Sequence, residues 1–510
     1  MSALARALLE PRCYPHAAPS VRCIETHISW VFLAGDHAYK VKKPVDLGFL
    51  DFRTLEARRR CCEEELRLNR RTAPGIYVGV VPIAGSEDAP VVGGEGRAFE
   101  YAVHMRRFDE GALALEIARA GGLGDAEAEA LAGMAAAFHA SLPPAPSESE
   151  YGTPQQVIAP AIQNVDQIEA LAAGSADREG LERMRAWTER EARRLSATFE
   201  ARHRDGFVRE CHGDLHLGNI AWIAGRPVAF DGIEFNAGFR WIDVASEIGF
   251  LFMDLVDRRL APLAWRFLNG YLERTGDYGL LRVFAFYCAY RAMVRAKVAC
   301  IRASDASLQA PANSSALAEY HDYLALAGRF ATGGRRAVVL MHGLSGSGKS
   351  TVAQALAARA GAVVVRSDVE RKRLHGLAAG ARSGSAQDAG IYDSASTAAT
   401  YARLEAVVGD AVAGGVPVIV DAAFLRRADR DSFRALAARL GAAFRIVGCE
   451  ASPDELRRRI LEREQRGADP SEAGLQVLER QLRTVEPLGD DERACLLAAD
   501  AGEIPSEPAP

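Results

Sequence analysis

The chain has 510 residues, of which 49% are hydrophobic and 25% charged, with a net charge of −5 at pH 7. That length predicts two to four structural units, and the composition is that of a soluble globular protein. The mildly acidic balance excludes a global electrostatic pull toward nucleic acid or anionic lipid.

Nine cysteines stand at irregular spacing, with Cys61-Cys62 as a vicinal pair and no CxxC. They read as reduced thiols of a cytosol, without a disulfide framework or zinc site. The first residues lack a long apolar core and a cleavage site. No apolar run approaches the ~18 residues of a membrane span. The run 249–256 is interrupted by Asp254. A cytoplasmic protein with no membrane partner is expected.

Residues 21–45 read as strands, with apolar runs 28–34 and 37–43 around Gly35-Asp36, a hairpin signal. The charged stretch 54–71 reads as a helix. Two more strands, 77–83 and 98–105, flank a Gly-rich turn at 93–96. From about 110 the pattern is helical: 126–141, 181–200, 241–274, 279–300 and 316–330. The segment 142–154 reads as a loop, and 207–235 as short strands and loops. After 332–336 the apolar runs 337–341, 362–365, 417–420 and 443–447 alternate with helical stretches, which predicts a parallel α/β sheet. The Ala/Glu/Pro-rich end, 499–510, reads as disordered.

His212-Gly213-Asp214 and Asn219 stand at the H-x-D-x-x-x-x-N spacing of a kinase catalytic loop. Phosphoryl transfer to a hydroxyl needs a carboxylate to orient or accept the hydroxyl proton. It also needs oxygen ligands for Mg²⁺ and a cation on the ATP phosphates. Asp214 is the candidate base and Asn219 a candidate metal ligand. Asp231 ends the apolar run 227–230 and precedes Gly232, which makes it the second metal candidate, with Glu234 nearby. The phosphate-binding lysine belongs on the third strand. Lys40 and Lys42 alternate onto one face there, and Lys40 is favoured. Its carboxylate partner is sought on the next helix, at Glu64 or Glu65. The competing reading is structural: a loop Asp caps a turn, and charges form a solvated face.

These residues resemble the aminoglycoside phosphotransferase-like kinases, the antibiotic, choline and fructosamine kinase group, over roughly residues 20–320. The resemblance implies a bilobal protein-kinase-like fold that phosphorylates a small molecule.

Residues 343–350 match G-x-x-x-x-G-K-[ST] between an apolar strand and a helix, the context of a P-loop. Backbone N–H groups across Gly343, Ser345, Gly346, Ser347, Gly348 and Thr351 would cradle phosphate oxygens. Lys349 would neutralise β/γ charge, and the Ser350 hydroxyl would ligate Mg²⁺. Asp368 follows the second strand, where α/β sheets bind ligands, with Arg371 one turn on. Asp368 is the candidate acceptor-orienting carboxylate, and Arg371 is the candidate cation that holds acceptor or phosphate. Ser367 with Glu370 also fits a capping box, the competing role for this turn. Asp421 ends a strand, as a metal-contacting carboxylate should. Ser452-Pro453-Asp454-Glu455 opens a helix. Its Arg459, Arg463 and Arg466 share one face and could form a lid over ATP. A solvated basic face is the competing reading.

This half resembles the P-loop kinase group with gluconate-kinase-like, polynucleotide-kinase-like and zeta-toxin-like members. The order of the halves is similar to that of bacterial fusions described as bifunctional aminoglycoside phosphotransferase/ATP-binding (AAA-type) proteins.

The expectation is therefore an α/β and α+β multidomain chain. A protein-kinase-like domain is expected at 1–331, a P-loop kinase-like domain at 332–498 and a disordered tail at 499–510. It would use ATP and Mg²⁺ to phosphorylate hydroxyls of small-molecule acceptors at two sites. One alternative makes the P-loop half a regulatory ATP-binding or ATPase module. A nucleic-acid end kinase would need a basic track, which the acidic chain lacks. No motif marks either acceptor or the oligomeric state.

Overall fold

Alternation of apolar and polar residues on either side of Gly35-Asp36 lets two strands pair in a tight hairpin, Ala34 opposite His37. In the computed structural model, residues 2–46, 48, 50–171, 177–304, 310–385, 389–466 and 471–507 are described. They form two compact units. The first comprises Met1–Leu123, Ala137–Gln156 and Arg202–Leu251; the second, Gly124–Ala136, Val157–Ala201 and Phe252–Pro510.

The first unit carries an antiparallel sheet of β1 (Val21–Glu25), β2 (Ser29–Ala34), β3 (His37–Lys42), β4 (Tyr77–Ser86), β5 (Ala89–Val92) and β6 (Glu100–Arg106). The spatial order is β1-β2-β3-β6-β4-β5. β5 was not expected. The chain reverses at Glu87-Asp88, with Ser86 opposite Ala89, before it reaches the glycines of 93–96. The helix Leu55–Asn69 starts at Thr54, whose hydroxyl accepts from the Ala57 N–H at 3.2 Å. Arg58, Cys62, Glu65 and Asn69, spaced by four, three and four, are its buried stripe. Two short ribbons follow: β7 (Val208–Glu210) with β10 (Trp241–Asp243), and β8 (Ile220–Ile223) with β9 (Arg226–Ala229). They place the segments 211–219 and 230–240 as the loops between strands.

On this sheet Tyr39 stacks on His104, with ring centroids 4.7 Å apart and planes 4° apart. His104 Nε2 lies 2.9 Å from His37 Nδ1, and His16 Nε2 lies 3.0 Å from the Tyr39 hydroxyl. Burial first, then the neighbouring His37 and His16, pushes the His104 imidazole down to about 4. The unfolded chain binds that proton near pH 6.5, so the folded unit loses stability as pH falls from about 6.5 toward 4, and no further below. Acidification from pH 7 to 4.5 is expected to cost about 2 kcal/mol, and His104→Gln to flatten that slope in urea titrations.

In the second unit β11 (Ala337–His342), β12 (Val363–Arg366), β13 (Val418–Asp421) and β14 (Ala443–Gly448) form a parallel sheet ordered β12-β13-β11-β14. Its strands are almost wholly buried, as a sheet covered on both faces requires. Both edges are closed. Asn269, on the helix Ala261–Thr275, donates to Ala362 O at 3.0 Å and accepts from Val364 N at 2.7 Å, taking the place of a neighbouring strand. On the far side Ile446 N donates to Cys495 O and Leu497 N to Ile446 O.

The compact units therefore do not divide at Thr332: the helices Ala261–Thr275, Leu281–Ala303 and Ala310–Thr332 cluster with the P-loop sheet. The stretch 241–274, expected as helical throughout, is broken. After β10, the helix Val244–Asp257 ends before Arg259, whose φ is 62°, and Pro262 opens the next helix. A helix Pro154–Leu171 was also not anticipated. The expected disordered tail is corrected in part. Ile504 is fully buried in the core of the P-loop sheet and Arg445 donates to Glu507 O at 2.7 Å; 508–510 lie outside the described residues. All nine cysteines are free thiols. Among the described residues, no helix is long and apolar enough to cross a membrane.

Candidate active sites

In the first unit, β3 aims Lys40 and Lys42 at one buried carboxylate. Lys40 Nζ lies 3.0 Å from Glu65 Oε1 and also pairs with Asp231. Lys42 pairs with Glu65 Oε2 and with Glu234. Glu65 is fully buried between the two lysines. Glu64, one residue away and 100° around the helix, turns outward to Arg67 and Arg240, each at 2.7 Å. The structure thus separates the candidates. Glu65 is the lysine partner, Lys40 joins the helix to Asp231, and Lys42 joins it to Glu234.

Burial alone would push the Lys40 ammonium down, but Asp231, Glu65 and Glu234 reverse this and hold it well above its usual range. Burial likewise raises the Asp231 carboxyl, and Lys40, by charge and hydrogen bond, brings it below the usual carboxylate range. Glu234 stays raised, with burial as the largest cause. Two ammonium groups thus face three carboxylates in one buried network. A cation beside Asp231, whose side chain is 42% exposed, would offset the excess.

The two loops are stitched to each other. His212 Nε2 lies 2.8 Å from Phe230 O, Ile233 N donates to His212 O, and Phe230 N donates to Asn219 O. Asp231 has φ 63°, uncommon outside glycine though tolerated by Asp. Its N–H donates to the Tyr77 hydroxyl at 3.1 Å, and Gly232 N donates to Asn69 Oδ1 at 2.8 Å, which holds the turn. Asn219 Nδ2 donates to Asp214 Oδ2 at 2.9 Å and to Asp214 O at 3.0 Å. His216 Nε2 is 3.4 Å from Asp214 Oδ2. At Gly213, with φ 87°, an added Cβ would sit 2.7 Å from Phe239 O, so the HGD turn requires glycine.

Glu247, on the helix Val244–Asp257, was not anticipated. Its carboxylate, fully buried, accepts from His212 N at 2.9 Å and Gly213 N at 2.7 Å. Burial raises this carboxyl, and hydrogen bonding from His139 leads the contributions that bring it below its usual range. The signal available in sequence was a lone acid inside an apolar helix, which does not reveal what it faces. His139, Cys211 and Glu247 bring ligand atoms within 4.8 Å of one another, but both Glu247 oxygens already hold the loop.

In the second unit the turn 343–348 leads from β11 into the helix Lys349–Ala360. A Cβ at Gly343, φ 151°, would meet Cys449 O at 2.3 Å, which leaves only glycine there. Gly348, φ 89°, is the N-cap of the helix. A cavity of about 740 Å³ opens over this turn. Ser345, Gly346, Gly348, Lys349, Ser350 and Thr351 line it, together with Asp368, Arg371, Asp421, Arg459 and Arg463. Ser347 lies below, its buried Oγ without a partner among the described residues. Burial pushes the Lys349 ammonium down, against Asp421, and its Nζ donates to Gly343 O and Leu344 O at 2.8 and 2.7 Å. Burial raises the Asp421 carboxyl, opposed by Arg366 and by a hydrogen bond from Ser350.

The helix Ser367–Leu374 has Arg366 as N-cap with no side-chain cap, so the capping box that competed with a functional role for this turn is absent. Glu370 is instead fully buried, paired with Arg373 and with Arg403 at 2.9 Å. Asp368 is left facing the cavity. Arg371 Nη1 donates to Ile391 O at 2.9 Å and Thr397 Oγ1 at 3.2 Å, while its buried Nε has no hydrogen-bond partner among the described residues. Arg459 Nη1 is 3.5 Å from Gly346 O, and Arg463 donates to Ala473 O. The Arg466 side chain lies outside the described residues. Gln481, on the helix Leu475–Thr484, was missed: its Oε1 accepts from Ser345 N at 2.8 Å.

Fold and sites define a chain that joins a unit with a six-stranded antiparallel sheet and an H-x-D-x-x-x-x-N loop to a parallel α/β unit with a P-loop. The AAA domain family matches residues 338–488. The uncharacterized protein Rv2004c of Mycobacterium tuberculosis is 30% identical over 445 residues, 87% of this chain and 86% of its own. The uncharacterized protein Mb2027c of Mycobacterium bovis matches equally. The chain belongs to the family of these mycobacterial proteins.

Among solved structures, a putative kinase from Chloroflexus aurantiacus is 23% identical, covering 32% of this chain and 87% of its own, at a TM-score of 0.26. The amicoumacin kinase hAmiN is 12% identical, covering 63% and 92%, at 0.38. A putative aminoglycoside phosphotransferase from Ralstonia eutropha is 14% identical, covering 65% and 98%, at 0.36.

Proposed function

We propose that the chain is an ATP-dependent kinase with two Mg²⁺-nucleotide sites, each transferring a γ-phosphoryl group to a hydroxyl of a small-molecule acceptor. The observation that carries this reading is that each site has a complete set of groups around one loop. In the first, Asp214 orients or accepts the acceptor proton, Asn219 and Asp231 hold Mg²⁺, and Lys40, fixed by Glu65, holds phosphate oxygens. In the second, the amides of 345–351 and Lys349 hold the β/γ-phosphates, Ser350 and Asp421 hold Mg²⁺, and Asp368 faces the cavity as the acceptor-orienting carboxylate. Arg459 and Arg463 stand over the loop as the lid. Mg²⁺ supplies charge neutralisation on the transferring phosphoryl group when bound.

The preceding region, 1–331, carries the first chemistry and 332–498 the second, in a cytoplasmic setting. A regulatory P-loop module is the second reading. Gln481 favours it, because a side-chain oxygen from the helix Leu475–Thr484 already occupies a P-loop amide. Incubating a cell metabolite extract with ATP and wild type, Asp214→Ala or Asp368→Ala decides between them. Two independent sites predict that each variant loses a different phosphorylated mass. Loss of every product in Asp214→Ala and of none in Asp368→Ala would leave the P-loop half regulatory.

A further inference from the structure

We infer that Glu472 is a positioning residue for the P-loop site: paired with Lys372, it seats the segment 471–473 against the helix that carries Asp368. This rests on the reading of the P-loop cavity as a nucleotide site. Lys372 lies one turn after Asp368, on the same side of the helix Ser367–Leu374. Asp368 lines the cavity, whereas Lys372 is 1% exposed and bonded within its wall. The Lys372 Nζ donates to Ala379 O at 3.1 Å and Ala381 O at 2.6 Å, and lies 3.1 Å from Glu472 Oε1. Three acceptors thus match its three N–H donors.

Glu472 is engaged through both oxygens. Its Oε1 also accepts from Ser383 N at 2.8 Å, and its Oε2 accepts from Ser383 Oγ at 2.6 Å. Burial raises this carboxyl, and the bonds from Ser383, then Lys372, bring it below its usual range. One carboxylate therefore joins the helix of Asp368, the loop 379–383 and the segment 471–473. That segment borders the cavity. Ser471 and Ala473 line it, and Ala473 O accepts from Arg463, which lines it too. A buried ammonium and carboxylate offset their desolvation only in a kept geometry, so the pair fixes where 471–473 comes to rest. An apolar contact, being non-directional, would let it slide. Without the Glu472 charge, Lys372 keeps its two carbonyls and the segment loses its anchor. The carbonyl that receives Arg463 is then no longer held in place. Glu472 is not among the residues lining the cavity, so its effect reaches the nucleotide through Ala473 and Arg463.

The test is stopped-flow release of a fluorescent ADP analogue from the full chain, chased with excess ATP. The P-loop phase is the one lost in Lys349→Ala. Glu472→Gln is expected to speed that release about 5- to 10-fold, on the scale of contact couplings. Association is expected to change by less than about 2-fold. Lys372→Met is expected to act alike, and the double variant no more than either alone. Hydrogen exchange is expected to rise at the amides of 379–383 and 471–473 and not at β11 or β13. An unchanged release rate in Glu472→Gln overturns the inference alone. So do additive effects in the double variant. Exchange that rises equally at β11 and β13 also overturns it, because general loosening of the unit would then explain the release. If Glu472→Gln does not fold, Ser383→Ala removes the bond to Oε2 with Lys372 in place, and the same acceleration is expected at about 2- to 3-fold. If Lys349→Ala removes no phase, the nucleotide-site reading fails and takes this inference with it.

Discussion

Replacing Glu65 by alanine is expected to destabilise the first unit by about 3–5 kcal/mol, the usual cost of removing one partner from a buried ion pair. The reason is the arithmetic of the network. Glu65 is the carboxylate that Lys40 and Lys42 share, and both ammonium groups are buried. Without it, Lys40 is left to Asp231 and Lys42 to Glu234, so the helix Leu55–Asn69 no longer ties strand β3 to the loop behind Asp231. Hydrogen exchange at β3 and β6 amides checks the stability change without assuming that both units unfold together. Glu65→Gln keeps the volume and one hydrogen bond. It is expected to retain more stability but to weaken Mg²⁺-ATP binding at this site, because Lys40 then leans harder on Asp231. Unchanged exchange rates in Glu65→Ala would mean that the lysines find other partners.

Glu247→Ala is expected to cost a comparable amount, about 3–4 kcal/mol, through a different mechanism. A fully buried carboxylate accepts from two successive backbone N–H groups immediately before Asp214. Its removal leaves both donors unsatisfied, at about 1–3 kcal/mol each. It also releases the turn that Gly213 makes against Phe239 O. Phosphoryl transfer at the first site is therefore expected to fall together with stability, whereas the P-loop product is retained. Glu247→Gln offers one acceptor oxygen in place of two, and is expected to keep one bond and lie between. A variant with normal denaturant midpoint and normal first-site turnover would show that the loop is set by the His212–Phe230 and Ile233–His212 bonds instead.

The buried carboxylates differ in how visible they are in sequence. Glu65 stands at helical spacing from Arg58, Cys62 and Asn69 on a helix that follows a lysine-bearing strand, so sequence reduces the choice to two neighbours. Only the rotation of that helix on the sheet decides between Glu64 and Glu65. Glu247 sits some 35 residues from the amides it binds, in an apolar run where an acid has no visible partner. Gln481, far along the chain from Ser345, is hidden for the same reason. The Ser367/Glu370 pattern shows the opposite failure. It is a good local cap, and two arginines, Arg373 and Arg403, draw Glu370 into the core instead.

By itself the sequence determined the two loops, the strands that precede them and the parallel character of the second sheet. Each of these depends on contacts within a few residues: a turn that only glycine can make, or a run of apolar side chains buried on both faces. The pairing of Lys40 with Glu65, the grip of Glu247 on the loop before Asp214 and the closure of the P-loop sheet edge by Asn269 were decided by tertiary structure. So was the burial of Ile504 in an end expected to be disordered. In each case the deciding term is the cost of burying a charge, an amide or an apolar side chain without its partner, and that partner comes from a distant part of the chain.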